Sequence, residues 1–117
     1  MYHNLTSPGY PSKYGDDIDC EWRITALNAP TIKLSILDFD VERGYDFFII
    51  GNSHDIEDHE TTIATLSGLV KLRTLTSEGP EMWMRFKTDR SGRRQGFFLQ
   101  LQELTGFNGT GGYTGWP

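Results

Sequence analysis

Apolar and polar residues alternate with a period of two through most of the chain, in short segments separated by turn-forming residues. Cys20, Trp22 and Ile24 fall on one side, with Glu21, Arg23 and Thr25 on the other, which predicts a half-buried strand. From Thr31 the residues Ile32, Leu34 and Ile36 alternate with Lys33 and Ser35, and then the phase slips so that Leu37, Phe39 and Val41 carry the apolar side. A slip of one residue inside a strand predicts a bulge or bend. Tyr45 to Ile50 is nearly all apolar and predicts a central strand buried on both faces. Thr61 to Leu66 and Lys71 to Thr76 predict two shorter strands. The clearest alternation is in Met82, Met84 and Phe86 against Trp83, Arg85 and Lys87, and in Phe97, Leu99 and Leu101 against Phe98, Gln100 and Gln102. Nowhere do apolar residues recur with helical spacing over three turns.

The segments between the strands are rich in helix-breaking residues. Ser7-Pro8-Gly9-Tyr10-Pro11 and Tyr14-Gly15-Asp16-Asp17 predict an ordered loop over residues 1–19, with its tyrosines available for packing. Ala26 to Pro30 and Glu78-Gly79-Pro80 predict turns, Gly51 to Glu60 an acidic loop, and Thr88 to Gln95 a polar loop. The chain divides into a domain over residues 1–104 and a Gly/Thr-rich linker or tail over residues 105–117. Short strands with regular turns point to an all-β sandwich.

Composition narrows the function classes. A chain of 117 residues is one domain, large enough to bury a core without staples. Its formal net charge of -5 argues against a binder of nucleic acid or anionic membrane and favours cations or basic partners. No apolar run is long enough to span a bilayer, and the opening residues lack the pattern of a signal peptide. The chain is therefore expected to be either cytosolic or a piece of a longer protein. The sequons Asn4-Leu5-Thr6 and Asn108-Gly109-Thr110 favour a glycosylated, secretory-pathway origin. Cys20 has no partner within the chain, so it is free, buried or bonded to a residue outside it.

Candidate chemistry centres on acidic turns. Glu42 and Asp46 lie in a Gly-containing turn between two apolar strands, and Asp89 lies in a second turn at the end of a third strand. Rigid strands fix loop side chains that still face solvent, so convergence of these acids on one calcium ion is expected. Composition alone leaves open that they are ordinary solvated acids paired with Arg43 or Arg90. An EF-hand is excluded, because Arg43 stands where the loop needs Gly and Ile49 where it needs Glu. His54 and His59 sit among acids but lack zinc spacing, and His59-Glu60-Thr61-Thr62 meets Ile63 where a zincin needs its second His. No nucleophilic or acid–base constellation is present. Arg90, Arg93 and Arg94 form a local basic spot that could touch a sulfated glycan or acidic partner, and Trp83 and Trp116 are candidate interface anchors.

The ordered set Ser7-Pro8-Gly9-Tyr10-Pro11, Tyr14, Cys20-Glu21-Trp22, Phe39-Asp40-Val41-Glu42, Tyr45-Asp46, Phe86-Lys87-Thr88-Asp89 and Gly96-Phe97 resembles the CUB domain, over about Leu5 to Leu104. The resemblance implies a jelly-roll-like sandwich of two antiparallel sheets in an extracellular multidomain protein, secreted or in a membrane-protein ectodomain. It implies a module that binds and does not catalyse. In the calcium-binding subset of that family, the ligand positions fall here on Glu42, Asp46 and Asp89, with the backbone carbonyl of Ser91 joining the shell. The tyrosine that braces the carboxylates falls on Tyr14. Tyr14, Glu42, Asp46 and Asp89 are then the expected partner-binding residues, taking a lysine from another extracellular or receptor protein. The family's second cysteine pair is absent: Arg43-Gly44 precedes Tyr45-Asp46, and no thiol lies around Leu66-Ser67-Gly68. Cys20 is expected to bond a residue outside this chain. Two alternatives are a calcium-independent spacer with its interface around Trp83, and the substrate-recruiting domain of an extracellular protease.

Overall fold

A computed structural model describes residues 2–90, 92 and 94–104. Eight strands run in chain order: β1 (Tyr2–Thr6), β2 (Asp19–Thr25), β3 (Thr31–Asp40), β4 (Phe47–Gly51), β5 (Thr62–Leu66), β6 (Arg73–Thr76), β7 (Glu81–Lys87) and β8 (Gly96–Leu104). They form two four-stranded antiparallel sheets, ordered β1-β8-β3-β6 and β2-β7-β4-β5. The expected jelly-roll-like sandwich is the observed architecture.

Alternation places the core. Ile32, Leu34 and Ile36 of β3 and Phe97, Leu99 and Leu101 of β8 face Met82, Met84 and Phe86 of β7 and Phe48 and Ile50 of β4, all buried. At one end Phe97 is the hub of an aromatic cluster, with ring centroids 4.7 Å from Phe48, 4.9 Å from Phe86 and 5.9 Å from Phe39. Edge-to-face and offset contacts of this kind fix ring positions more tightly than aliphatic packing. Tyr14 continues the cluster, its ring edge-on to Phe86 at 5.2 Å. The functional loops stand on this base.

Four expectations need correction. Residues 1–19 are not all loop: Tyr2–Thr6 is a strand paired with β8 from Tyr2↔Gln102 to Thr6↔Phe98. Leu5 packs against the core, and pairing with β8 specifies the strand more than its own pattern does. The predicted bulge occurs, with the register slipping between Ile36 and Asp38, but Leu37 is the bulged residue and points outward at 43% exposure. Tyr45 is not in a strand. It is a turn residue at 63% exposure, and β4 starts at Phe47. The last short strand starts at Arg73, not Lys71. β4 does lie centrally between β7 and β5, although Phe47 and Ile49 are only half-buried.

Candidate metal site

Strand register brings the acidic turns together. Phe47 pairs with Lys87, so Asp46 and the residues after Lys87 leave neighbouring strands side by side. Asp19 pairs with Lys87 on the other side, which carries the end of the β1–β2 loop to the same place. Asp40 pairs with Gly96, so the β3–β4 turn begins next to the end of the β7–β8 loop. Backbone bonds lock the junction: Thr88 N–H donates to the Ile18 carbonyl at 2.9 Å and Asp17 N–H to the Asp89 carbonyl at 2.8 Å.

At this end of the sandwich Glu42, Asp46 and Asp89 each present a carboxylate oxygen, and these oxygens lie within 4.8 Å of one another. Asp46 is fully buried and satisfied: one oxygen accepts from the Tyr14 hydroxyl at 2.5 Å, the other from Asp89 N–H at 3.0 Å. Tyr14, itself fully buried, also accepts from Glu42 N–H at 3.1 Å, so a single hydroxyl ties two of the acidic positions together. Burial, followed by the bond to Asp46, raises its phenol pKa, so the hydroxyl remains a donor.

Glu42 is different. Its Oε1 is buried and has no hydrogen-bond partner among the described residues. Loss of water, followed by repulsion from Asp89 and Asp46, holds its carboxyl pKa above the ordinary glutamate range, and Arg94 offsets this only in part. Gly92 makes room for it: with φ +78°, a Cβ there would stand 1.7 Å from Glu42 Oε2. The donor set is all hard oxygen. Oxygens on a calcium ion at roughly 2.4 Å span at most about 4.8 Å across the shell, so these acids fit such an ion.

Ser67 carries a role that the sequence did not reveal. Its hydroxyl donates to the Asp46 carbonyl at 2.7 Å, lies 3.3 Å from the Glu42 carbonyl, and accepts from Gly44 N–H at 2.8 Å. It ties the acidic turn to the segment after β5, the two segments where the family pattern has its second cysteine pair. The only available signal was a small polar residue between Leu66 and Gly68.

The other predicted residues fall elsewhere. Ser91, Arg93, Asn108 and Trp116 lie outside the described residues. Asn4 is exposed on the edge strand β1. Cys20 is a half-buried free thiol on β2, its pKa raised by burial and then by Asp19. His54 pairs with Glu81 at 3.1 Å, and neither His54 nor His59 joins a metal-ligating group among the described residues. Trp83 is 2% exposed, closed over by the β4–β5 connection, with its indole N–H on Thr61 Oγ1 at 3.0 Å. Its indole is therefore covered and is not an exposed anchor.

Two antiparallel sheets with an acidic cluster on the loops at one end define a β-sandwich module with a candidate cation site. The family model of the CUB domain matches residues 1–101, and the chain belongs to that family. Cubilin of Canis lupus familiaris is 32% identical over 93% of the chain, and cubilin of Homo sapiens is 34% identical over 87%. The chain spans about 3% of the length of those cubilins. Among solved structures, the CUB1-EGF-CUB2 domain of human MASP-1/3 superposes with a TM-score of 0.78 at 27% identity, covering 90% of this chain and 42% of that one. The full extracellular region of zebrafish Gpr126/Adgrg6 gives 0.77 at 27% identity, covering 89% and 14%. The MASP-1 CUB2 domain bound to Ca2+ shares the fold, with a TM-score of 0.73 at 20% identity, covering 86% and 90%. The chain is thus a protein-interaction module of the extracellular kind, and CUB domains are in general noncatalytic. No helix among the described residues is long and apolar enough to cross a membrane.

Proposed function

We propose that this CUB domain is a noncatalytic recognition module that binds one calcium ion through Glu42, Asp46 and Asp89 and docks a partner protein through a lysine. The observation that carries this reading is the buried, unpartnered Oε1 of Glu42 inside a cluster of three carboxylates. A native fold seldom leaves such an atom unsatisfied, and a cation held among the three carboxylates would satisfy it. The same fold holds Ca2+ in the MASP-1 CUB2 domain. Three carboxylates outweigh a divalent ion by one charge, which leaves the loaded site attractive to an ammonium group. Tyr14 contributes to the docking surface as the brace that holds Asp46 and the Glu42 backbone in place.

The test is a calorimetric calcium titration of metal-stripped protein, with Asp89→Ala as control and melting curves in calcium and in chelator. One saturable site that vanishes in the variant, with a melting point raised by calcium, supports the reading. No heat and no stabilisation at millimolar calcium overturns it.

A further inference from the structure

Beside the acidic cluster lies an open depression of about 470 Å3, bounded by Asp40, Arg43, Ser67, Gly68, Leu69 and Arg94. The two sides are joined by backbone: Val41 N–H bonds the Gly68 carbonyl at 3.0 Å, and Val70 N–H bonds the Phe39 carbonyl at 3.1 Å. Arg43 follows Glu42 directly, and its stem lies along Gly68, where a Cβ would come within 3.3 Å of it. The guanidinium of Arg43 makes no hydrogen bond or ion pair with another described residue. Arg94 reaches in from the opposite side, with Nε 3.8 Å from Asp40 Oδ1, too long for a hydrogen bond. Two guanidiniums thus share one depression, and only one of them is partly neutralised.

We infer that this depression is a second subsite of the docking surface and takes the carboxylate of an acidic side chain on the same partner segment whose basic residue meets the carboxylate cluster. The inference extends the docking reading given above. Planar guanidiniums match a carboxylate in a forked geometry that neither a backbone carbonyl nor an amide can use as well. A polyanionic glycan fits poorly, because a chain of sulfates seated here would run onto Glu42, Asp46 and Asp89, and the protein carries a net charge of -5. The rim favours a polypeptide: Leu69 and, in the acidic turn, Tyr45 are exposed at 74% and 63%. Calcium should strengthen the subsite, since it cancels most of the negative charge beside it.

The experiment is an amide-resolved NMR titration of the whole chain with N-acetylglutamate α-methylamide, whose only carboxylate is that of the side chain, with and without calcium. N-acetylglutamine α-methylamide, which has no carboxylate, is the neutral control and a heparin-derived disaccharide the sulfated one. Saturable shifts at Gly44, Gly68 and Leu69 with glutamate alone, weakened about tenfold in Arg43→Gln and further in Arg43→Gln/Arg94→Gln, are expected. Both variants should keep the parent's dispersed spectrum and still take up calcium at one site, at least as tightly as the parent, since each loses a positive charge beside the carboxylate cluster. Equal response to glutamate and glutamine, or undiminished glutamate binding in the double variant, overturns the inference. Tighter binding of the disaccharide overturns the assignment to a protein partner. An arginine-dependent glutamate site in a protein that shows no calcium heat supports this inference while removing the calcium reading, so the two fail separately.

Discussion

Two of the glycines that make room for a neighbour's side chain do so with opposite outcomes. At Gly51, on β4, a Cβ would lie 1.9 Å from the Trp83 ring, and the indole that fills the space is covered and bonded through its N–H to Thr61. At Gly92 a Cβ would lie 1.7 Å from the Glu42 carboxylate, and the group that fills the space keeps a buried oxygen without a partner. Folding completes the first site. The second is left electrostatically incomplete among the described residues, and the proposed calcium ion would complete it.

The largest effect belongs to the completed site. Gly51→Ala forces the indole out of its place in a packed layer, and overpacking of this kind costs about 3 kcal/mol. For a domain of this size that lowers the melting point by roughly 10–20 °C. Thermal melts should show that loss equally in calcium and in chelator, because Trp83 and the acidic loops lie on different parts of the sandwich. A calcium-dependent loss would mean that the two regions are coupled.

Asp46→Ala should come next and should separate scaffold from ligand within the cluster. Asp46 accepts from the Tyr14 hydroxyl and from Asp89 N–H, so its removal strands buried donors at about 2 kcal/mol. Denaturant unfolding in chelator should record this cost even with no ion present, and calcium should then restore nothing. If Asp46→Ala is neutral in chelator, the Tyr14–Asp46 bond does not hold the loops.

Legibility from sequence followed the same division. The strands β3, β7 and β8 alternate over seven or more residues, and their inner faces are as the pattern predicts, because burial on one face of a long strand leaves a periodic trace. β1 leaves none, since its register is set by a strand nearly a hundred positions away. Leu37 misleads because a bulge turns an apolar residue outward while the count continues. The acids of the site are visible as turn residues, but the approach of Asp46 to Asp89, 43 positions apart, depends on the Phe47↔Lys87 register, which only the family resemblance supplies. Ser67 and Gly92 stay hidden, because a hydroxyl bonding backbone and a missing Cβ have no compositional signature.

The smallest effect is also the sharpest, because its sign changes with the ion. In the metal-free protein the Glu42 carboxyl holds its proton to higher pH than the ordinary value of 4.5, through burial first and then through Asp89 and Asp46. Just above that value the unfolded chain has shed this proton and the folded chain keeps it. Stability from this group therefore falls as pH rises across the window, and acidification favours the metal-free fold. Calcium reverses the slope, since it binds the ionised carboxylate and is displaced by protons. Glu42→Gln should raise the melting point in chelator above the parent's once Glu42 would be ionised, with the gap closing as pH falls. In calcium the variant should melt below the parent. Comparing parent and variant at each pH cancels groups common to both, such as Asp19, whose pKa is lowered by its bond to Arg85. A variant that is less stable than the parent in chelator at neutral pH would show that the Glu42 carboxylate has a partner after all, and the case for an ion would lose its main support.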